Sequence, residues 1–328
     1  MIVSSKVLII QTAFLGDAIL ATSLLEKIRN ESAETKIHLL VRKGNESIFQ
    51  AYDFPNLEQF WTYDKKNKFR SWIDLQKKLS LEKFDRVIVL QRFFGMGLLS
   101  LSIGAKFVIG FDKNPLSRFF SKKMPHYFGN GDHEIQRNTS LLFDWLGEKV
   151  YKPFLNPPSM QLPEGLKLKE YICISPGSVW ETKRFPIQKW IDFIRLLPLN
   201  QTIVLMGAPN EQDLSNEIVK SFEGAGRTIY NETGKHPLLA SAYIYQQSKK
   251  SYVNDSGPMH LCSALNVPTV AIFCSTIPAF GFGPLSDEST IIETSEILSC
   301  RPCGDHGKIS CPLGHFKCGN EIDVKRML

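Results

Sequence analysis

Short apolar runs alternate with longer helical patterns through the first half of this chain. The run KVLII at residues 6–10 predicts a buried strand, and a helical pattern covers about 17–30. Apolar runs separated by helical segments of this length are typical of βαβ units with a parallel sheet. Further strands are predicted at four places: residues 37–41, 60–63, 86–90 and 107–109.

The same alternation begins again in the second half. Residues 151–168 (YKPFLNPPSMQLPEGLKL) contain four prolines and no periodicity, which predicts a linker. Beyond them, strands are predicted at residues 171–175, 202–206, 251–253 and 269–273, and helices at 187–197, 211–222, 238–247 and 260–265. A length of 328 residues fits two α/β domains. We therefore predict one domain over residues 1–160 and a second over 161–328.

Composition and charge restrict the function only slightly. The hydrophobic fraction is 43% and the formal net charge is +6, so anionic partners are favoured. No basic repeat with interleaved aromatics and no zinc-finger spacing supports nucleic-acid binding. The apolar N-terminal stretch is broken by Gln11, Gly16 and Asp17, which does not resemble a signal peptide. We expect a cytoplasmic protein.

The first segment with candidate chemistry is QTAFLGDAILATSLL at residues 11–25. Its glycine allows a tight turn between strand and helix, and Asp17 follows it. Asp17 is either a helix N-cap or a carboxylate at the carboxyl end of the first strand, where open α/β sheets bind ligands. No G-x-G-x-x-G pattern is present here, which disfavours a nicotinamide dinucleotide site.

The second segment is SPGSVWETKRFP at residues 175–186. A turn with Gly177 and Ser178 directly follows a buried strand, and Lys183 and Arg184 come soon after it. Backbone N–H donors with two nearby cations suit a diphosphate. A surface turn with solvated charges is the alternative, and the glycine turn after the strand favours the phosphate site.

The third segment is VNDSGPMHLCSALNVPTVAIF at residues 253–273. Asp255, Ser256 and Gly257 open a helix directly after a strand, which predicts an anion site supported by the helix dipole. His260 lies in the first turn of this helix. A histidine there is either a packing residue or part of the ligand site.

Together these segments resemble glycosyltransferase family 9, the lipopolysaccharide heptosyltransferases, over nearly the whole chain. The resemblance implies a GT-B fold, in which two Rossmann-like α/β domains with parallel sheets face each other across a cleft. It also implies inverting transfer from ADP-heptose, with the donor bound mainly by the C-terminal domain and the acceptor by the N-terminal domain.

The resemblance also implies roles for matching positions. Asp17 matches the family's proposed general base, and Asp255 matches a carboxylate that contacts the heptose hydroxyls. Lys183 matches the diphosphate-binding lysine. The other matching donor-site positions are Gly177 and Ser178 in the preceding loop, Glu211 at the adenosine ribose, and Ser256 and Gly257 at the diphosphate turn.

Elementary chemistry agrees with these roles. An inverting transfer needs one base for the acceptor hydroxyl, and cations or backbone donors stabilise the departing ADP. No two aspartates in the chain are two positions apart, so an Asp-x-Asp metal motif is absent. We therefore expect metal-independent catalysis without a cofactor, with Lys183 and the helix after Asp255 in the place of the metal.

Four of the seven cysteines lie close together near the C-terminus: Cys300, Cys303, Cys311 and Cys318. The spacing C-x2-C-x7-C-x6-C is compatible with a structural zinc site, because C-x2-C is a common zinc-ligand pair. The second pair lacks the usual short spacing, so reduced structural thiols are the other interpretation.

A basic and aromatic stretch covers residues 111–128 and includes Lys122 and Lys123. It is either a solvated face or, as the resemblance suggests, a loop that holds the lipid-linked acceptor at the inner face of the cytoplasmic membrane.

The interpretation favoured by the sequence is transfer of heptose from ADP-heptose to the inner core of lipopolysaccharide. The alternatives are a transferase or epimerase of the same fold that uses another nucleotide sugar, and a nucleotide-binding protein without catalytic activity.

Overall fold

Parallel strands form two six-stranded sheets in residues 5–50 and 55–328, which the computed structural model describes. The chain divides into two units. One holds the residues up to Phe128 together with Asp132–Asn156, and the other holds Gly129–Gly131 together with Pro157–Leu328. The predicted α/β class with two Rossmann-like sheets is confirmed.

The first sheet has the strand order β3-β2-β1-β4-β5-β6, with every pair parallel. Its strands are β1 (Lys6–Gln11), β2 (Lys36–Arg42), β3 (Leu57–Tyr63), β4 (Arg86–Val89), β5 (Phe107–Phe111) and β6 (Lys122–Met124). The helices of this unit are α1 (Leu15–Leu20), α2 (Thr22–Glu31), α3 (Ser47–Gln50), α4 (Lys68–Leu81), α5 (Phe94–Ser102), α6 (Glu134–Ser140) and α7 (Phe143–Leu146).

The second sheet has the strand order β12-β11-β10-β7-β8-β9, again with every pair parallel. Its strands are β7 (Tyr171–Ser175), β8 (Thr202–Leu205), β9 (Ile229–Asn231), β10 (Lys250–Asn254), β11 (Thr269–Phe273) and β12 (Ser289–Glu293). Its helices are α8 (Ile187–Leu196), α9 (Gln212–Lys220), α10 (Leu238–Gln246), α11 (Gly257–Ala264) and α12 (Lys317–Asn320).

Both sheets repeat one topology. In each unit the first strand pairs with the second on one side and with the fourth on the other, so the strand order reverses between the first and fourth strands. Open α/β sheets bind ligands outside the carboxyl ends of the strands at such a reversal. The expected binding edges are therefore the carboxyl ends of β1 and β4 in one unit and of β7 and β10 in the other.

Apolar strand residues covered on both faces form the cores. β7 and β11 are buried along their whole length, as expected for parallel strands between two helical layers. In the second unit Trp190 and Phe193 of α8 pack against this sheet with no exposed surface. None of the helices described is long and apolar enough to span a bilayer.

Some predicted boundaries are wrong. The helix predicted over 17–30 is two helices that meet at Ala21. The basic stretch 111–128 contains the short edge strand β6, which its charged residues concealed.

Candidate active site

The loops that follow β7 and β10 lie at the strand reversal of the second sheet, and Asn254 joins them. Asn254 ends β10 and is fully buried. Its Nδ2 donates to the carbonyl oxygens of Pro176 at 2.9 Å and Gly177 at 3.0 Å, while its Oδ1 accepts a 3.0 Å bond from the Phe185 N–H. One amide side chain therefore fixes the loop after β7 to the segment that carries Lys183.

Lys183 and Asp255 form an ion pair at this edge. The Lys183 Nζ lies 2.7 Å from Asp255 Oδ2, although 72 positions separate the two residues (255 − 183). The same oxygen accepts a 2.6 Å hydrogen bond from the Thr276 hydroxyl. Asp255 and Thr276 are 5% and 2% exposed, so little solvent reaches this carboxylate.

Arg184 holds the loop after β7 by a hydrogen bond to its backbone. Its Nε donates a 2.7 Å bond to the carbonyl oxygen of Ser178, and Ser178 is itself buried. Part of the Arg184 guanidinium is therefore committed to the backbone of the loop. The side chain of Lys183, by contrast, meets a carboxylate.

Gly177 leaves room for the Glu211 carboxyl group. A Cβ added at Gly177 would overlap that carboxyl group. The Glu211 Oε2 accepts a 2.8 Å bond from the Ala208 N–H, which holds the side chain over the loop after β8. Gly177 and Glu211, two candidates from separate motifs, are therefore in direct proximity.

Helix α11 begins at the predicted turn. Ser256 is its N-cap residue, Gly257 is its first residue, and the Ser256 hydroxyl lies 3.3 Å from the Asn254 carbonyl oxygen. His260 is buried one turn along, with its ring edge-to-face against Phe282 at 6.5 Å between centroids. A packing role for this ring is thus present, and its donor-binding role stays a prediction.

Asp17 lies in the first turn of α1, after β1 in the first unit. The alternative in which Asp17 is the N-cap is wrong, because Phe14 occupies that position. The Asp17 charge acts on Lys65: burial lowers the pKa of the Lys65 ammonium, the Arg42 guanidinium lowers it further, and Asp17 opposes both.

Two cations therefore accompany Asp17 at the carboxyl edge of the first sheet. Arg42 and Lys65 lie 5.5 and 6.0 Å from the ring centroid of Phe14, which is 56% exposed. A hollow of about 580 Å³ is lined in part by Lys43 and Asp64, their neighbours in the chain. A cation pair beside a carboxylate can bind an anionic substrate group.

Lys122 and Lys123, the predicted acceptor-binding lysines, lie on the edge strand β6. Lys122 forms an ion pair with Asp144, and Lys123 is exposed. The ion pair of Lys122 with Asp144 accounts for one of these two charges without a ligand.

The cysteine-rich segment packs on the second unit near the Lys183 loop. All seven cysteines are free thiols, and Cys300, Cys303 and Cys311 line one hollow of about 270 Å³. Among the residues described, no three histidine, cysteine, aspartate or glutamate side chains are placed to hold a metal ion. The structural zinc site and the reduced structural thiols both stay predictions.

Several residues that complete this arrangement were not among the sequence candidates. Asn254 lies inside the third motif, between two predicted elements, and its amide could have been considered there. Arg42 ends β2, and Lys65 and Thr276 follow β3 and β11. Only the strand pairing shows where these three residues lie.

The chain resembles known proteins over most of its length. The model of glycosyltransferase family 9 (heptosyltransferase) matches residues 72–313. Lipooligosaccharide heptosyltransferase 2 of Campylobacter jejuni is 23% identical over 98% of this chain and 97% of its own length. The lipopolysaccharide core heptosyltransferase OpsX of Haemophilus influenzae is 30% identical over 81% of this chain and 78% of its own.

A solved structure has a similar fold. The ADP-heptose lipopolysaccharide heptosyltransferase II of E. coli superposes with a TM-score of 0.79 at 19% identity, covering 98% of this chain and 96% of that chain.

Proposed function

The chain belongs to glycosyltransferase family 9, the heptosyltransferase family, and on this premise we propose that it transfers heptose from ADP-heptose to the inner core of a lipopolysaccharide-type glycolipid. The proposal includes inversion at the anomeric carbon and metal-independent catalysis. The Lys183–Asp255 pair at the strand reversal of the second sheet is the observation that carries it. The relatives' names, which specify heptose and lipopolysaccharide, support the choice of substrates.

The second unit would bind the donor. An ammonium beside the loop after β7 and the N-terminal turn of α11 can both stabilise a diphosphate. In this structure the Lys183 ammonium pairs with Asp255. On donor binding, Lys183 would shift to the diphosphate and Asp255 would accept hydrogen bonds from heptose hydroxyls. Glu211, held above Gly177, would bind the ribose.

The first unit would bind the acceptor and supply the base. The acceptor hydroxyl oxygen would attack the anomeric carbon as the bond from that carbon to the diphosphate oxygen breaks. The Asp17 carboxylate would take the hydroxyl proton, and ADP would leave as the anion. Lys183 would lower the barrier by stabilising the negative charge that develops on the leaving group.

Arg42 and Lys65 support an anionic acceptor. Lys65 is close enough to Arg42 and Asp17 to be influenced by both charges, and burial disfavours the charged form of Lys65, so an anion there would restore a favourable environment. Acidic or phosphorylated inner-core sugars have the matching charge. We assign the acceptor anion to these cations before Lys122, which is already paired with Asp144.

The proposal also includes contact with the inner face of the membrane. Phe119 and Tyr127, on the stretch 111–128, are 56% and 61% exposed, and Arg118 and Lys123 lie beside them in the sequence. Aromatic and basic residues together favour anionic lipid surfaces.

Turnover and donor binding would test the proposal directly. Binding and turnover of ADP-heptose, UDP-sugars and GDP-sugars are measured in EDTA for wild type and for Asp17→Asn. We expect selective ADP-heptose binding by both proteins, and transfer to a lipid A–core acceptor with an inverted anomeric centre by wild type alone.

Each contrary outcome would contradict a different part of the proposed function. Turnover of the donor without an acceptor would indicate an epimerase, and tight binding without any turnover would indicate a non-catalytic nucleotide-binding protein. Loss of transfer in EDTA that Mg²⁺ restores would overturn metal independence. Unchanged transfer by Asp17→Asn would place the base elsewhere.

A further inference from the structure

The segment from Cys300 to Lys308 lies outside the donor motifs but packs against the loop that carries Lys183 and against the loop after β11, whose Thr276 binds Asp255. It has no helix or strand of its own. Its position is fixed by hydrogen bonds to backbone and hydroxyl groups of those loops. Two side chains, Arg301 and Thr182, make the decisive bonds.

Arg301 fixes the loop after β11. Its side chain is 11% exposed. The loop after β11 includes Thr276, whose hydroxyl donates to Asp255. The Arg301 guanidinium donates to the carbonyl oxygens of Cys274 (2.7 Å), Thr276 (2.8 Å) and Phe273 (3.2 Å) and to a carboxylate oxygen of Glu293 (2.6 Å).

Thr182 fixes the loop that carries Lys183. It is 2% exposed and directly precedes the lysine. Its N–H donates a 3.1 Å bond to the Lys308 carbonyl oxygen, and its hydroxyl oxygen accepts a 2.8 Å bond from the Lys308 N–H. The Ser275 hydroxyl donates a further 3.0 Å bond to the same oxygen.

These bonds close a ring of contacts around the ion pair. Lys183 meets Asp255, Asp255 meets Thr276, and the loop of Thr276 is held by Arg301. The cysteine-rich segment then returns through Lys308 to Thr182. A lysine side chain is long and flexible, so its ammonium is well placed only when its backbone is fixed.

We propose that Thr182 and Arg301 are positioning residues for donor binding, acting through Lys183 and Asp255 without touching the donor. The inference rests on the proposed function only in assigning a nucleoside diphosphate to this site. It gives the cysteine-rich segment a role as a clamp on the donor loops that needs no metal.

The first test replaces the Thr182 hydroxyl. Thr182→Val keeps the shape but removes the acceptor for Lys308 and Ser275, whereas Thr182→Ser keeps the hydroxyl. Thr269→Val is the matched control, because Thr269 is equally buried in the same unit and its hydroxyl donates to the Val267 carbonyl oxygen, outside the ring. Affinity for ADP by calorimetry, donor KM and kcat, and Tm are measured for each.

Thr182→Val should weaken ADP binding and lower kcat/KM for the donor by at least about fivefold, the effect expected from one lost hydrogen bond, because two bonds to the Thr182 oxygen are lost. Thr182→Ser should restore both, and acceptor KM should stay at the wild-type value. If Thr182→Val and Thr269→Val lower Tm alike and both keep wild-type ADP affinity, the hydroxyl is only structural and the proposal is overturned.

A second pair of variants tests the other side of the ring. Arg301→Met should also weaken ADP binding. Its control is Arg227→Met, since Arg227 likewise donates to backbone carbonyl oxygens, at Leu197 and Pro198, but away from the donor loops. Equal ADP affinity in the two variants would overturn the role of Arg301.

ADP affinity decides this inference whichever sugar the enzyme transfers. Wild type that binds ADP but does not transfer heptose would contradict the proposed function while the positioning of Lys183 could still be measured. Wild type that does not bind ADP would overturn both.

Discussion

Thr276 donates its hydroxyl proton to the same Asp255 oxygen that meets the Lys183 ammonium, at 2.6 Å and 2.7 Å respectively. A carboxylate oxygen that is buried and held from two sides has one orientation. The pair therefore keeps the ammonium at the strand reversal, from where it would reach the diphosphate when the donor binds. In the proposed reaction this is where the diphosphate charge develops.

Removal of the Lys183 ammonium should impair the reaction more than the fold. Lys183→Ala is expected to lower kcat/KM for the donor about a hundredfold or more, as loss of one preorganised group at a developing charge does. Steady-state kinetics with varied donor checks this. Lys167→Ala is the control, because Lys167 pairs with Glu170 on the surface, and its kinetics should match wild type.

Asn254→Asp should be the most destabilising change at this edge. It places a second oxygen against the carbonyl oxygens that Nδ2 now binds and buries a charge, so the free energy of unfolding should fall by about 2–4 kcal/mol. Urea denaturation measures it, with Asn200→Asp, at an exposed position, as the control. A loss no greater than that of the control would contradict the bridging role of Asn254.

Much of this fold could be predicted because parallel strands covered on both faces are continuous apolar runs, as at β1, β4, β7 and β11. The edge strands β6, β9 and β12 could not, since they are short and partly exposed, and their sequences are more polar. Burial, which creates the apolar signal, is weakest at the edge of a sheet.

The candidate site divides in the same way. Lys183 and Asp255 each lie in a recognisable strand-to-helix turn, so both were identified from sequence. Their pairing depends on β7 lying beside β10, a crossover connection that no local pattern encodes. Thr276 and Arg301 belong to no motif, and Thr182 lies in the second motif without a chemical role that its residue type suggests, because all three act through hydrogen bonds to neighbouring loops.

A change at Lys65 should affect the KM for the acceptor and leave the KM for the donor unchanged. Lys65→Met removes one of two cations beside Asp17, and a lost hydrogen bond to a charged group should raise the acceptor KM about tenfold. Donor KM should not change. Lys66→Met is the matched control, since it removes the same charge from an exposed neighbour. Equal acceptor KM values for the two variants would contradict the anion site.

The first unit should lose stability in acid through Glu134. Burial raises the pKa of this carboxyl, but His126 and Arg137 outweigh burial and hold the pKa below its usual value. A lowered folded-state pKa stabilises the fold above the unfolded value of 4.5, and this contribution is lost as the pH falls through the folded value.

Glu134→Gln should therefore destabilise the protein near neutrality by about 3 kcal/mol, because Arg137 stays buried without its anion. The difference from wild type should narrow in acid. Thermal unfolding over a pH series measures this, with the exposed Glu148→Gln as control. A gap that is constant down to the lowest pH would show that the charge of Glu134 makes no contribution.

Cys311 should be the most reactive thiol in the native protein. Burial raises the pKa of its thiol, but backbone N–H groups of residues 313–316 donate to the sulfur and together lower the pKa overall. Cys173, Cys262 and Cys274 are fully buried, which raises the pKa of each. The thiolate is the nucleophile, so reactivity follows both the pKa and exposure.

Iodoacetamide labelling followed by peptide mass analysis should modify Cys311 first. Its rate should fall as the pH falls through the lowered pKa, and Cys311→Ser should abolish the fast phase. Cys311 lines the same hollow as Lys308, whose backbone holds Thr182, so alkylation of Cys311 should also weaken ADP binding, and bound ADP should slow the labelling in return. Fast labelling that leaves ADP affinity unchanged would show that modification of Cys311 does not affect the bonds between Lys308 and Thr182.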